Sequence, residues 1–309
     1  MAVMRNFLLW CSENETLKDK VPNMSFVQKA LRKFMPGEEI DDAISASKEF
    51  ITEGIPTVLT HLGEELNNLT EADEVTNNYL TLIDKIAEEN LDIEISLKLT
   101  QLGFSLSEEK TFENFNKIAE RAEKLKNIVW IDMEGSEYTQ KTIDFYKKIK
   151  AKRNNTGLCL QSYLFRTHQD FNDLTEVLPN IRLVKGAYNE PHDIALKDKF
   201  RVDENYLDLS KKMLEASNKN GNRIVFGTHD LKLIEAIKRE ADILNYPQSK
   251  LEFHFLYGIK TSAQKQLVKE GYIVRVLISF GKSWYPWYMR RLAERPANVM
   301  FVLKNLFSK

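Results

Sequence analysis

The pattern that most limits the fold of this chain is a series of short apolar runs, rich in β-branched residues, that alternate with longer amphipathic stretches. Such runs predict buried β-strands, and the apolar spacing between them is typical of helices. The chain has eight runs: IPTVLTH (55–61), IEISLKL (93–99), IVWID (128–132), LCLQSY (158–163), IRLVKG (181–186), RIVFGTH (223–229), LEFHFL (251–256) and YIVRVLI (272–278).

The amphipathic stretches also carry helix start signals. In FENFNKIAERAEKLKN the apolar residues form one stripe: Phe112, Phe115, Ile118, Ala119, Ala122 and Leu125. Ser107 predicts the start of this helix, and Asp203 with Glu204 predicts the start of a later one. Strict alternation of strands and helices indicates a parallel sheet, and eight units suit a closed (β/α)8 barrel of the TIM type. Spacing alone leaves a doubly wound open sheet as the alternative.

About fifty residues precede the first predicted strand. They contain two helical patterns, NMSFVQKALRKFM and EEIDDAISASKEFITEG, which Pro36 and Gly37 separate. No linker composition divides the rest of the chain. We therefore expect a helical extension at residues 1–50, packed on a single barrel domain at residues 51–309.

Charge and cysteine content exclude several classes of protein. The chain has 44 Lys and Arg against 45 Asp and Glu, so we expect no nucleic-acid partner, because such proteins usually carry a basic excess. Two cysteines, Cys11 and Cys159, imply neither a disulfide framework nor a thiolate metal site. The apolar run at 7–11 is too short to span a bilayer. These features favour a reducing, intracellular location.

Polar residues collect at the carboxyl ends of the predicted strands, where (β/α)8 barrels carry their active sites. They are Lys98, Asp132, Glu134, Gln161, Arg182, Lys185, Thr228, His229 and Asp230. Desolvating such groups is costly unless they pair with one another or with a ligand. An ion network without a ligand would explain any single residue, but so many converging groups favour a ligand site.

A second concentration of functional groups lies near the C-terminus, in GKSWYPWYMRRLAERPANV. If a helix begins near Tyr285, Tyr288 and Arg291 lie on related faces with Glu294 or Arg295, and Arg290 lies beside them. Guanidinium groups bind a carboxylate bidentately, and aromatic neighbours exclude water. The alternative, a solvated basic turn, is disfavoured because four aromatic residues lie within five positions.

Other motifs are absent. No two histidines have a metal-ligand spacing, so no metal is predicted. The chain has no dinucleotide-binding glycine fingerprint, no P-loop and no nucleophile elbow. Cys159 lies inside an apolar strand, where a buried core thiol is expected rather than a nucleophile.

Several motifs, in this order, resemble those of the proline dehydrogenases, flavin-dependent enzymes of proline catabolism. They are IRLVKGAY, FGTHD, FHFLYG, VRV followed by FG, and WYPWYMRRLAERPANV, preceded by THLGEE, SLKLTQLG and IDMEGS. The resemblance extends from about residue 56 to 299 and covers the whole predicted barrel.

The resemblance implies a distorted (β/α)8 barrel that holds FAD and oxidises L-proline to 1-pyrroline-5-carboxylate by hydride transfer to flavin N5. It implies that Lys98, Arg290 and Arg291 bind the substrate carboxylate, with Tyr288 on the ring, Asp132 supporting the site and Glu294 bracing the arginines. Glu64 would pair with Arg290 to close the pocket. The flavin would be held by Gln161, Arg182, Val184, Lys185, Gly186, Ala187, Thr228 and His229.

Four positions depart from the family pattern. Leu277 replaces a tyrosine and Ser279 a proline, while Asn189 and Asp230 stand where members carry tryptophan and asparagine. These departures concern the shape of the substrate site and the packing around the flavin.

Two other functions stay open at this point. Lys98 or Lys185 could serve as a Schiff-base lysine in an aldolase-like barrel, or the chain could be a non-catalytic amino-acid-binding protein. The resemblance implies a membrane quinone as electron acceptor, so we expect a cytoplasmic protein with peripheral contact at the inner face of the membrane. The oligomeric state is not predicted.

Overall fold

The computed structural model describes residues 31–63 and 66–294 together with Trp10, Cys11, Asn14, Leu17 and Val27, and leaves undescribed the side chains of residues 286, 290, 291, 293 and 294. All eight predicted strands are present. They form a closed parallel barrel in chain order, in which the last strand pairs with the first. The strands are β1 Thr57–His61, β2 Ile93–Leu97, β3 Val129–Ile131, β4 Thr156–Gln161, β5 Asn180–Val184, β6 Ile224–Gly227, β7 Glu252–Leu256 and β8 Ile273–Phe280. The predicted (β/α)8 barrel is therefore confirmed, and the open-sheet alternative is wrong.

Helices connect the strands on the outside of the barrel. Those described are α1 Ile40–Thr52, α2 Leu69–Glu88, α3 Glu108–Glu123, α4 Ser136–Lys150, α5 Thr167–Leu174, α6 Lys199–Asn220, α7 Leu231–Ile243, α8 Thr261–Lys269 and α9 Trp284–Glu294. Helix α1 confirms the second helical pattern before the barrel, and α9 confirms the helix predicted near Tyr285. The first pattern, at 23–35, lies mostly outside the described residues, so the boundary at residue 50 stays a prediction.

Two predicted helix starts have different outcomes. Ser107 caps α3, accepting a hydrogen bond from the backbone of Lys110 at 3.2 Å, as predicted. The predicted start at Asp203 and Glu204 is wrong, because α6 begins at Lys199. The cap is Asp198, and the Asp203 carboxylate instead binds two lysines.

Alternate residues of each strand face two environments. One set, including Ile95 and Leu183, packs against the outer helices in the main apolar core. The other set faces the barrel interior, where Val58, Trp130 and Val225 form a small apolar cluster.

Ionisable residues occupy the amino-terminal end of the barrel interior, which we call the barrel floor: Glu94, Arg223, Glu252, His254 and Arg275. Arg223 binds both Glu94 and Glu252 at 2.5 Å. His254 Nε2 lies 2.9 Å from Glu252 Oε1. Both carboxylates are nearly inaccessible to solvent, so the floor is closed by mutually paired charges.

Helix α9 packs on the N-terminal segment. Leu31 and Met35 share an apolar cluster with Trp284 and Tyr288. Trp284 Nε1 donates a hydrogen bond to Glu38 Oε1 at 2.8 Å. Among the helices described above, none is both long and apolar enough to cross a bilayer.

Candidate functional site

The barrel interior is sealed at mid-height and accessible at the carboxyl-terminal rim. Trp130 and Arg182, at mid-height, are 0 and 2% exposed. Two positions further along the same chain segments, Asp132 and Val184 are only half-buried, and Lys98 after β2 is half-buried as well. Since residues two apart share a strand face, we infer that these side chains line a recess that opens at the carboxyl end.

Arg182 is at the centre of a hydrogen-bonded cluster beneath this recess. Its Nη2 donates to Asp132 Oδ1 and, at 2.7 Å, to Ser96 Oγ, and its Nε donates to Cys159 Sγ at 2.9 Å. The Trp130 ring packs against the guanidinium carbon, with 5.1 Å between that carbon and the ring centroid. Residues of β2 and β4, together with Trp130 of β3 and Asp132 just after it, thus hold this arginine of β5 from several sides.

Two buried polar atoms in this region have no hydrogen-bond partner among the residues whose side chains are described. They are Arg182 Nη1, a donor, and Gln161 Oε1, an acceptor. Gln161 is itself 3% exposed, and its Nε2 donates to Met133 O at 3.3 Å. Because nearly all buried polar groups are hydrogen-bonded, an unpaired donor and acceptor here indicate a place for a bound molecule.

Lys185 lies just past β5 and is held by two carboxylates. Its Nζ binds Asp203 of α6 and, at 3.3 Å, Asp230, which caps α7. The exposed Lys199 binds the same two carboxylates. Burial acts to raise the pKa of Asp230, but Lys185 and Lys199 lower it overall, so the departure to aspartate here supplies a charge partner for Lys185.

The loop after β5 requires glycine at position 186. Gly186 has φ 110°, a conformation that other residues rarely adopt, and an added Cβ would lie 2.2 Å from the Tyr163 ring. Val184 ends β5, and Ala187 follows the glycine, half-buried. The backbone at the rim is therefore close to Tyr163, with no room for a larger residue.

Thr228 and His229 follow β6 at the same rim. Thr228 is 4% exposed, and its hydroxyl accepts a hydrogen bond from the backbone of Asp230 at 3.2 Å. The His229 ring packs at 5.8 Å from Phe255 of β7. Thr228 and His229 thus directly precede Asp230, whose carboxylate binds Lys185.

Lys98 and Glu134 lie on neighbouring loops. Glu134 accepts hydrogen bonds from the Thr100 hydroxyl at 2.6 Å and from its backbone at 3.2 Å. Burial raises the pKa of Glu134, although the positive charge of Lys98 acts in the opposite direction. Glu134 therefore fixes the loop after Lys98.

Tyr288 of α9 is buried. Its ring packs 6.0 Å from both Phe34 and Trp284, and burial raises its pKa to about 12. Its hydroxyl has no partner among the side chains that are described.

The rest of the predicted substrate site cannot be placed. Arg290, Arg291 and Glu294 belong to α9, but their side chains lie outside the described part, and Glu64 lies outside the described residues altogether. Their roles stay predictions.

The departures from the family pattern occupy different environments. Leu277 packs against the interior cluster of Val58, Trp130 and Val225. Ser279 is 1% exposed, whereas Asn189 is on the surface.

The structure brings Asp132, Arg182 and Gln161 together and links Lys185 to the segment after β6. Four residues that support this arrangement are not predicted from the sequence as site residues: Ser96, Trp130, Cys159 and Asp203. Alternation contained the signal for Cys159, because it lies two residues before Gln161 and so shares its face. Across the described residues, no group of three or more His, Cys, Asp and Glu is placed to hold a metal ion.

Comparisons with known proteins identify a family. The family model described as proline dehydrogenase matches residues 43–304. "Proline dehydrogenase 2" of Bacillus subtilis subsp. natto is 37% identical over 309 residues, covering 100% of both chains. "Proline dehydrogenase" of Deinococcus radiodurans is 33% identical over 279 residues, covering 89% of each.

A solved structure shares the fold. It is proline utilization A from Bdellovibrio bacteriovorus inactivated by N-propargylglycine, with a TM-score of 0.82 and 21% identity. The match covers 94% of this chain and 38% of that one, so this chain corresponds to less than half of the larger protein.

Proposed function

This chain belongs to the proline dehydrogenase family, and we propose that it oxidises L-proline to 1-pyrroline-5-carboxylate at the carboxyl-terminal rim of its barrel, with FAD as cofactor. The observation that carries this proposal is the ion pair between buried Arg182 and half-buried Asp132. The Arg182 Nη1 atom is left without a partner among the described residues and lies under the recess at the rim.

The rim residues fit a flavin. An isoalloxazine ring offers hydrogen-bond donors and acceptors along one edge, and the unpaired Arg182 Nη1 and Gln161 Oε1 are of complementary types. Lys185, which Asp203 and Asp230 hold at the rim, would place an ammonium donor beside the diphosphate. Val184, Gly186, Ala187, Thr228 and His229 would complete the site as the resemblance implies. FAD, when bound, supplies the acceptor for the hydride that leaves proline.

The proposed task of Arg182 is electrostatic. A guanidinium fixed in advance, in a region closed to water, stabilises negative charge that develops nearby without reorganising. Asp132 and Ser96 hold that guanidinium in place, so its charge is available at the start of the reaction.

The proposed substrate site lies between the rim and α9. Lys98, Arg290 and Arg291 would bind the proline carboxylate, since two planar guanidinium groups and an ammonium fix its orientation. Tyr288 would pack on the pyrrolidine ring, Glu294 would brace the arginines, and Glu64 would pair with Arg290 to exclude water. Holding the ring carbon in a reactive position can lower the barrier by about 7 kcal/mol or more.

We also propose that a membrane quinone takes the electrons from the flavin, which places the protein at the inner face of the membrane as a peripheral protein. The support is the family resemblance. Proline-dependent reduction of a short-chain quinone, measured with and without lipid vesicles, tests the acceptor and the contact separately.

The function is tested by assaying purified protein with a dye acceptor and L-proline, trans-4-hydroxyproline and pipecolate. We expect activity with proline that depends on added or retained FAD, and an ordered loss for the larger substrates. A protein that lacks flavin bands after reconstitution and yet binds proline would instead be the amino-acid-binding protein. Trapping of a carbonyl substrate on Lys98 or Lys185 by borohydride would support the Schiff-base alternative.

A further inference from the structure

We propose that Cys159, together with Trp130, is a positioning residue that sets the orientation of Arg182 and thereby the electron affinity of the bound flavin. The inference rests on the proposed function, because it requires a flavin beside Arg182. Cys159 and Trp130 contact Arg182 and would act on the cofactor only through it.

Two of the three nitrogen atoms of the Arg182 guanidinium have hydrogen-bond acceptors among the described residues. Arginine carries five N–H groups in one plane. Nε donates to Cys159 Sγ at 2.9 Å, and Nη2 donates to Ser96 Oγ at 2.7 Å and to Asp132 Oδ1. Because the group is planar, fixing Nε and Nη2 fixes the direction of Nη1, the atom without a partner among the described residues.

The Trp130 ring packs against the guanidinium of Arg182. The guanidinium carbon of Arg223, in the barrel floor, lies 5.5 Å from the centroid of the Trp130 ring. Trp130 is fully buried, and its ring centroid lies 5.1 Å from the guanidinium carbon of Arg182. Its indole N–H donates to Glu94 at 2.8 Å, which fixes the ring plane. Trp130 therefore limits how far Arg182 can move toward the floor.

The Cys159 sulfur contacts Arg182 as a neutral thiol. Burial raises the pKa of the Cys159 thiol to about 11, outweighing the opposite effect of Arg182. The thiol is therefore neutral at physiological pH and accepts the Nε hydrogen bond without cancelling the arginine charge. Its S–H points toward Asp132, with 3.7 Å between Sγ and Oδ1.

Removing the sulfur changes the choices open to the guanidinium. Nε would lose its acceptor, and the Asp132 carboxylate, already bound by Nη2, can accept both groups in a bidentate pair. That pairing would rotate Nη1 away from its present direction. Positive charge would then lie further from the flavin, and the flavin would become harder to reduce.

The test compares flavin-loaded wild type with Cys159→Ala and Cys159→Ser. We expect Cys159→Ala to shift the oxidised-to-reduced equilibrium about tenfold, or about 30 mV to lower potential for a two-electron couple. We expect kcat to fall with KM for proline unchanged, because Arg182 is not part of the proposed carboxylate clamp. Cys159→Ser keeps a hydrogen-bond acceptor, so its flavin potential and its kcat should be close to those of wild type.

Cys11→Ala is the matched control, because Cys11 and Cys159 are both 4% exposed and Cys11 lies in the cluster with α9. If Cys159→Ala does not retain flavin, Cys159→Val fills the space without an acceptor and is compared with Cys159→Ser. The inference is overturned if Cys159→Ala or Cys159→Val has the flavin potential of wild type. It is also overturned if Cys159→Ser lowers the potential and kcat as much as those variants do. If proline fails to reduce the wild-type flavin, the proposed function itself is wrong.

Discussion

At the scale of single residues, the site depends on a buried cation that a carboxylate holds in place. Arg182 is 2% exposed, and its carboxylate partner Asp132 is at the edge of the recess. Breaking a buried pair by removing one partner leaves an uncompensated charge, which costs far more than losing a surface pair.

The first prediction is that Asp132→Asn lowers the free energy of unfolding by about 3 kcal/mol and weakens flavin binding. Urea unfolding and flavin titration measure the two effects. Asp84→Asn is the control, because the Asp84–Arg121 pair at 2.7 Å has side chains that are 45 and 46% exposed. Its loss should cost less than about 1 kcal/mol. Equal costs in the two variants would contradict the pairing of Asp132 with a buried guanidinium.

A second residue-scale prediction concerns Lys185 and Lys199, which bind the same two carboxylates. The Lys185 side chain is 28% exposed and that of Lys199 is 76% exposed. We expect Lys185→Met to weaken FAD binding more than tenfold, because an anchored ammonium next to the rim is lost. Lys199→Met should bind FAD within about twofold of wild type, since a solvated charge contributes little. FAD affinity is read from quenching of flavin fluorescence, and similar affinities in both variants would exclude the assignment.

At the scale of elements, small residues on one strand make room for large residues on the next. Gly157 of β4 pairs with Trp130 of β3, and an added Cβ would lie 2.3 Å from the indole. The ring that supports Arg182 therefore depends on a glycine of the neighbouring strand.

The third prediction is that Gly157→Ala destabilises the fold by about 1–3 kcal/mol, because overpacking a close-packed interior forces strain. Differential scanning calorimetry on single and double variants isolates the contact. In a Trp130→Leu background the same alanine should cost clearly less. An identical cost in both backgrounds would show that the indole is not what the added methyl meets.

The barrel floor gives the element-scale pH dependence. Burial lowers the pKa of His254 to about 4, although Glu252 acts in the opposite direction. The unfolded chain would titrate this group near about 6.5. Between these values the unfolded state binds more protons than the native state, so stability is lost as pH falls.

The fourth prediction is that acidification from neutral pH to near pH 4 removes about 3 kcal/mol through His254 alone. Urea unfolding between pH 7 and 4.5 should show a smaller loss in His254→Gln than in wild type. His192→Gln, at an exposed histidine, should follow the wild-type profile. The same slope in His254→Gln as in wild type would rule out a buried neutral imidazole.

At the scale of the whole molecule, alternation and order predict a parallel α/β fold and favour a barrel, whereas closure is seen only in the structure, where the last strand pairs with the first. Eight β-branched runs separated by amphipathic stretches leave few other arrangements, and the strand ends collected Asp132, Arg182 and Lys185 at one rim. The floor was not predicted, because its partners are far apart along the chain: Arg223 and Glu94 are separated by 129 residues. The apolar run around Cys159 predicts a core thiol, whereas the strand face on which Cys159 lies turns it toward Arg182. Contacts of that kind depend on register and closure, which a local pattern does not contain.

Anaerobic titration of the FAD-loaded protein with L-proline tests the central claim most directly. We predict progressive loss of the visible flavin band, one proline per flavin at a saturating end point, with 1-pyrroline-5-carboxylate as the product. A protein that holds flavin and binds proline, yet keeps an unchanged flavin band in excess proline, would contradict the account.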